Sequence, residues 1–544
     1  MNLQRQMDCV QWLPWEEGLA RAQAEHKPLL IALDATPCME EDTARFMMRY
    51  FVPVRISRRE QPGAAVVYTR AADLLCGMVE GPIAVLADSY GNPFFVQTQE
   101  KPRQLASVLC GVALHWSSDP TKYESAGATV CRQLEGVSRS VAAGRPERQL
   151  FDTRFRWLQS RYDRSNGGFG TGAKSLQPQD LLFLLGYYRL TGNRHALNMG
   201  RHTLHRLACS AVRDQIGGGF FRGATDTRWE QPAAEKRLVD QAWMLETYLT
   251  AYRLSGDDAF RMVAKEIADF VLRELRLPCG GFAAGQRLED GFGLLSDADV
   301  CRALGETDGK VFCKEYSVGA EKTMPHLFHS TSPHEDIPLL QTLRMKLYQD
   351  RMERGGAQTD ACVLLGWNGL MIAALAHAGR VLGGERYLAA ACDAEEFLRS
   401  RLVTTTELLR RWSCGGAGGE ATLEDYAGYA LGLVELYRAG CGGECLRRGA
   451  KVMARADALF SDWQSGGYYL TRAQGKLPVR PKPLWDEDVP SAWSIALRVL
   501  TLLAAEIPHP GLQRRSLELA DFAAGVARSY DCSYALTALM EKQK

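Results

Sequence analysis

From about residue 140 onward the chain alternates between two kinds of apolar pattern. In the first kind almost every position is apolar. Residues 364–382 are of this kind, and so are 237–254, where Leu238, Ala242, Leu245, Leu249 and Tyr252 form one helical stripe and Met244, Tyr248 and Ala251 a second. In the other kind one face only is apolar: in 258–275, Phe260, Val263, Ile267 and Val271 oppose Arg261, Lys265, Asp269 and Arg273. A helix that is apolar all round is buried, and one with a single apolar face covers it. The two kinds recur as pairs at intervals of about forty residues, joined by short glycine-containing turns. The pairs are 180–190 with 194–207, 237–254 with 258–275, 367–382 with 385–402, 425–437 with 444–463, and 490–505 with 512–529. With 148–162 and 339–352 they make about twelve helices. Buried first helices inside a ring of amphipathic second helices predict an all-α (α/α)6 toroid.

A second repeat lies between the pairs. Gly167-Gly168-Phe169-Gly170, Gly218-Gly219-Phe220-Phe221, Gly280-Gly281-Phe282 and Gly466-Gly467-Tyr468-Tyr469 are Gly-Gly-aromatic segments. They predict turns and short strands on one rim of the ring, an arrangement of the six-hairpin glycosidase type.

The N-terminal pattern is different. Residues 27–34 form an apolar run bounded by turn signals, preceded by a helical stretch over 15–25 and followed by another over 43–50. Further strands are predicted at 52–56, at 81–87 and from Asn92. Strand, cysteine at a helix start, strand, then proline before a strand is a thioredoxin-like α/β order. The chain therefore divides into a thioredoxin-like domain over 1–118, a connection over 119–147 and a toroid over 148–544.

Composition narrows the function classes. Of 544 residues, 46% are apolar and 24% charged, with a net charge of +1. That balance points to neither nucleic acid nor a membrane surface. No apolar run is long enough to cross a bilayer, and the first residues lack an apolar signal core. Fifteen scattered cysteines suit a reducing, cytoplasmic compartment. Cys441 and Cys445 form a CxxxC without a second ligand pair, and the HxxH of His326 and His329, near His334, Glu335 and Asp336, is broken by Pro325 and Pro333. No metal and no cofactor is expected.

Together these motifs resemble those of the spermatogenesis-associated protein 20 family, whose bacterial relatives include DUF255 proteins. In that family the first helix of the thioredoxin-like domain begins CHWCH. Here Cys38 matches, while Met39, Glu40, Glu41 and Asp42 replace the other four. Pro82 matches the family's proline before the third strand, held cis in thioredoxin folds, and Gly81 replaces the usual Trp. A dithiol cycle needs a second thiol to resolve the mixed disulfide, and Glu41 has none. The resemblance therefore implies a redox remnant at Cys38 and Pro82, in a module kept for packing, for a protein partner, or as a one-thiol sensor. It continues through Gly167–Gly170 with Lys174, Asp226 with Trp229, Pro232 with Glu235-Lys236, Asp240-Gln241-Ala242, Ser296-Asp297-Ala298-Asp299, Trp367-Asn368-Gly369, Leu423-Glu424-Asp425-Tyr426-Ala427, and Asp486 with Pro490-Ser491. Ala233 stands where the family has His, and Cys362 where it has Lys.

If inner helices all begin at one end of the ring, their first turns converge on one funnel. Glu235, Asp240, Asp425 and Asp486 are then the candidate acids and bases. Arg222, Asp226, Trp229, Lys236, Asp297, Asp299, Trp367, Asn368 and Glu424 are candidate ligand contacts, since aromatic faces stack on sugar rings. Each acid also has a bland role as a helix cap. Two functions follow: a carbohydrate-active protein binding a small sugar-like ligand, with weak epimerase- or hydrolase-like chemistry, or a non-catalytic binding or redox-sensing scaffold.

Overall fold

The computed structural model describes residues 10–37, 39–77, 81–98, 102–139, 141–289, 291, 293–327, 338–355 and 357–542. Contacts divide the chain into two units, Met1–Val141 with Leu459–Pro483, and Ala142–Ala458 with Leu484–Lys544. The segment Leu459–Pro483, which the helix pattern assigns to the toroid, groups with the N-terminal unit, where Leu477 packs on the core. Much of the stretch read as a connection is helix, Thr121–Arg139.

The N-terminal unit is built on strands β1 (Leu29–Leu33), β2 (Val52–Ile56), β3 (Ile83–Ala87) and β4 (Pro93–Thr98). Their order is β2-β1-β3-β4, with β1 and β2 parallel and the other pairs antiparallel. Helices α1 (Trp15–Glu25), α2 (Glu41–Tyr50), α3 (Pro62–Cys76), α4 (Pro102–Trp116) and α5 (Thr121–Arg139) complete it. Every residue of β1 and β3 is buried, because helices cover both faces of the sheet. Leu29, Ile31 and Leu33 pack with Trp15, Leu19 and Tyr68 from α1 and α3. Leu30 points the other way, among Met47, Phe51, Leu105 and Leu109. This is the thioredoxin-like fold that the pattern predicts. Cys38 lies outside the described residues. Glu41 opens α2 and pairs with Arg45. Pro82 follows Gly81 through a trans bond, not the cis bond the resemblance implies.

The second unit is a closed ring. Its inner helices are α7 (Pro178–Thr191), α9 (Leu238–Ser255), α14 (Leu365–Leu382), α16 (Leu423–Arg438), α18 (Ala492–Glu506) and α20 (Ser533–Glu541). Each packs on the next, and α20 returns to α7. Outer helices α6 (Arg148–Arg161), α8 (Arg194–Cys209), α10 (Asp258–Phe270), α15 (Glu385–Arg401), α17 (Gly443–Phe460) and α19 (Pro510–Val526) alternate with them in sequence. The (α/α)6 toroid is therefore formed, with one change of membership. Pattern reading counts 339–352 among the twelve helices and stops at residue 529. In the structure Ser533–Glu541 closes the ring. Helix α13 (Pro338–Glu353) instead joins α11 (Asp297–Leu304) and α12 (Glu306–Glu315) in an insertion whose Val300, Phe312, Leu343 and Leu347 share a core with Cys209 and Ile216.

Burial separates the two helix classes as expected. In α14 every residue from Leu365 to Ala378 is buried, whereas in α10 the buried set is one face only. Helices α14 and α16 approach most closely through glycine. A Cβ on Gly369 would lie 2.4 Å from the Gly428 carbonyl oxygen, and one on Gly428 would lie 2.5 Å from that of Gly366. Backbone cannot yield as a side chain can. Gly428→Ala is therefore expected to force the two helices apart and to cost about 1–3 kcal/mol, as other overpacked cores do. Urea unfolding of the full chain measures this, and a loss below about 0.5 kcal/mol contradicts the close approach.

Candidate functional site

The rim at the start of the inner helices carries the short strands. Strand β5 (Lys174–Ser175) pairs with β6 (Gly223–Ala224), while β7 (Glu235–Arg237) runs directly into α9 and β10 (Val363–Leu364) directly into α14. β7 pairs with β8 (Gly285–Arg287), which pairs with β9 (Gln358–Asp360). β10 pairs with β11 (Leu409–Ser413), and β11 with β12 (Gly416–Glu420). Three of the four Gly-Gly-aromatic turns, those at 167–170, 218–221 and 466–469, share one construction, the last of them within the N-terminal unit. Asp163, Asp214 and Asp462 each accept two backbone N–H bonds from the next residues of their turn, at 2.9–3.1 Å. A buried lysine then bonds both the aspartate and a glycine carbonyl. Lys174 takes Asp163 and Gly167, Lys236 takes Asp214 and Gly218, and Lys482 takes Asp462 and Gly466, all at 2.6–2.9 Å. Glycine is required where the turn meets a ring. Gly168 and Gly219 have φ of +75° and +74°, and a Cβ there would lie 2.7 Å from Trp229 and 2.6 Å from Phe270.

This construction removes several predicted ligand contacts from the funnel. Lys236 is 2% exposed and locked onto Asp214, which also takes Arg351 at 2.6 Å. Trp229 is buried against Gly168 and donates its indole N–H to the Asn166 carbonyl at 3.1 Å. Asn368 is fully buried and clamps Phe282 with two bonds, N–H to Oδ1 at 2.8 Å and Nδ2 to the carbonyl at 3.0 Å. Gln241 holds Phe220 in the same way. Asp226 accepts N–H bonds from Arg228, Glu230 and Gln231 within its own loop. Asp297 and Asp299 open α11 in the insertion, where Asp299 completes a capping box with Ser296. The bonds from Ser296 hold the Asp299 carboxyl down at about 2.

The remaining candidates stay at the rim, with fixed partners. Arg237 grips Asp240 through two bonds of 2.7 Å. Burial disfavours the Arg237 charge, but Asp240, then Asp488 and Glu424, more than offset this and raise its pKa. These four groups therefore share one electrostatic neighbourhood although they start three different inner helices. Asp425 is fully buried; it accepts Arg410 at 2.7 Å, the Gly366 N–H at 3.1 Å and the Thr422 capping bonds. Glu424 accepts the Trp367 indole N–H at 3.0 Å and Arg410 at 3.1 Å. Glu235 faces Arg222 at 3.8 Å, with Arg222 about half exposed.

Asp486 belongs to a second cluster at the same rim. Its carboxylate accepts the N–H groups of Ser491 and Tyr534 at 2.8 and 2.9 Å and the Ser494 hydroxyl at 3.0 Å. Burial nevertheless raises its pKa. The neighbouring Asp531 bonds Arg154, which also holds Asp180 at 2.6 Å and Ser533 at 2.7 Å. Burial first, and then the charge of Asp180, push Asp531 up to about 7 against the pull of Arg154, with Asp486 adding to the rise. Sequence reading passed over Arg237, Arg410, Arg154 and Asp531. The i,i+3 spacing of Arg237 and Asp240 was a usable signal, and so was Asp531 two residues before the apolar run that starts at Ser533.

Residues 2–135 match a family described as Thioredox_DsbH, a protein of unknown function, DUF255. Human spermatogenesis-associated protein 20 is 29% identical over 93% of this chain and 75% of its own length. The chain is similar to spermatogenesis-associated protein 20 over nearly its whole length. The rat protein is 28% identical with the same coverage, and an uncharacterized protein of Caenorhabditis elegans 24% identical over 93% of this chain and 79% of its own. Among solved structures, a D-mannose isomerase aligns over 69% of this chain and 86% of its own, with 12% identity and a TM-score of 0.44. An unsaturated glucuronyl hydrolase specific for heparin aligns over 72% and 94%, with 10% identity and a TM-score of 0.45.

Proposed function

We propose that the rim of the toroid binds a small sugar-like ligand, and that it does so with little or no turnover. The observation that carries this reading is the pairing of the candidate acids. Asp240 is neutralised by Arg237 and Asp425 by Arg410, while Asp486 is saturated by three donors. A general acid or base must be free to exchange its proton with substrate, and these three are not. What they leave is a polar patch of Glu424 and Arg237 near Asp488, suited to hydroxyl groups, with the buried Trp367 holding Glu424 in place. A specific observation favours weak acid–base chemistry as a second reading. Burial and the charge of Asp180 raise the pKa of Asp531 against the pull of Arg154, and its side chain is 33% exposed, so solvent and ligand can reach it.

Heat protection of the purified chain against mono- and oligosaccharides, read together with product analysis, tests the proposal. A saccharide is expected to raise the melting temperature, and Glu424→Gln to abolish the rise while the unliganded melting temperature changes little. If no saccharide at millimolar concentration protects the wild type, the reading fails.

The N-terminal unit is read as a cytoplasmic protein-binding module without dithiol chemistry, since Glu41 stands where a resolving thiol would be. Insulin reduction with dithiothreitol is expected to proceed at the uncatalysed rate. Thioredoxin-level turnover that is lost in Cys38→Ser would overturn this.

A further inference from the structure

A second polar site lies in the other half of the ring. A cavity of about 390 Å³ is lined by residues from all six inner helices, mostly from their C-terminal halves. None of the candidate residues at the rim borders it. Its walls carry Arg189, Arg253, Arg380, Arg438 and Arg498 against Glu246, Glu435 and Glu541. Five arginines against three glutamates leave an excess of two positive charges, with His377 counted as neutral.

The arginines divide by their partners. Arg380 and Arg438 hold Glu435, and Arg498 holds Glu541 with Arg189 at 3.7 Å. His377 Nδ1 meets Glu246 at 2.6 Å. Arg253 has no carboxylate partner among the described residues; its polar neighbour is His377 Nε2, at 3.5 Å. Arg189, Arg253, Arg380 and Arg438 each sit in the last turn of their helix. Complementing the helix dipole explains a cation at each C-terminus. It does not explain why these cations surround a common void, at whose mouth Arg253 is exposed. A guanidinium that faces a cavity without a carboxylate is the group that takes up phosphate or carboxylate oxygens, two at a time.

We propose that this cavity binds a small organic anion bearing phosphate or carboxylate groups, with Arg253 as the principal contact. The paired arginines supply field without being freed from their glutamates, and Thr250 and Thr537 add hydroxyls to the wall. The volume limits the ligand to the size of a small metabolite.

Isothermal titration of the full chain with pyrophosphate and with citrate, against sodium chloride at matched ionic strength, tests the proposal. At least one of the two is expected to bind with a submillimolar Kd, and the arm that succeeds separates a phosphate source from a carboxylate source. Arg253→Gln is expected to weaken binding at least tenfold. The substitution breaks no ion pair among the described residues, so the fold should persist. Thr250→Met, which narrows the void one turn before Arg253 on the same helix, is expected to weaken it as well. Glu424→Gln, at the rim, should leave anion binding unchanged, which keeps this outcome separate from the saccharide test. Failure of both anions to bind beyond the salt control overturns the proposal. So does undiminished binding by Arg253→Gln or by Thr250→Met.

Discussion

Asp214→Ala is expected to destabilise the toroid by about 3–5 kcal/mol, the cost of breaking a buried ion pair from one side. Asp214 is 1% exposed and lies between two cations, Lys236 at 2.7 Å and Arg351 at 2.6 Å, which are 2% and 5% exposed. Removing the carboxylate leaves both charges buried without a partner. It also frees the Ile216 and Gly217 N–H groups that shape the turn. Lys236→Met should cost less, because Asp214 keeps Arg351. Urea unfolding followed by circular dichroism measures both variants. A loss under about 1 kcal/mol for Asp214→Ala would mean that the network is not structural, and would return Lys236 to the list of ligand contacts. The network also sets an acid limit. Burial opposes ionisation of Asp214, but Arg351 and Lys236 outweigh it and hold the carboxyl well below the usual range. A carboxylate depressed in the folded state contributes fully above its unfolded pKa, roughly 3.9. That contribution is lost as pH falls below this value. Asp214 therefore supports the fold at neutral pH and fails only in acid.

Asp531→Asn is expected to remove a titration near pH 7. The direction is opposite to that of Asp214. With a folded pKa of about 7 and an unfolded value near 3.9, the folded state holds the proton more tightly between the two. The folded state is then favoured most below the unfolded value, and stability falls as pH rises from about 4 to about 7, then levels. Asparagine mimics the protonated form and cannot ionise. Its stability curve should be flatter across that window, and at pH 8 the variant should match or exceed the wild type. Unfolding midpoints at pH 5 and pH 8 decide this. Equal pH dependence in the two proteins would place the ionisation elsewhere. The same substitution bears on chemistry: turnover of any saccharide with an apparent pKa near 7 should vanish in Asp531→Asn if this group is the proton donor.

The helix pattern was legible because burial on all sides and burial on one side leave different periodicities. The pairs and the ring followed from that difference. Membership was less legible. Residues 339–352 have helical periodicity, but nothing local says that Leu343 and Leu347 bury themselves in an insertion laid on Cys209 and Ile216, outside the twelve helices of the ring. The last inner helix, Ser533–Glu541, is short and follows a gap, so its periodicity is brief; closure comes from packing against α7 and α18.

The candidate site divides along the same line. Sequence by itself determined that acids cluster at helix starts, because capping and the helix dipole favour them there, and that a second thiol is missing beside Cys38. It also determined the Gly-Gly-aromatic turns, since positive φ against a ring excludes a side chain. Only the tertiary structure decided which polar residues are free. Lys236 and Asp214 are 22 residues apart, Arg154 and Ser533 379 apart, yet each pair is bonded. A charge on an inner helix reads the same in sequence whether it faces a ligand or a buried partner. The partner is supplied by chain folding, and at Trp229, Asn368 and Lys236 it is the protein's own backbone.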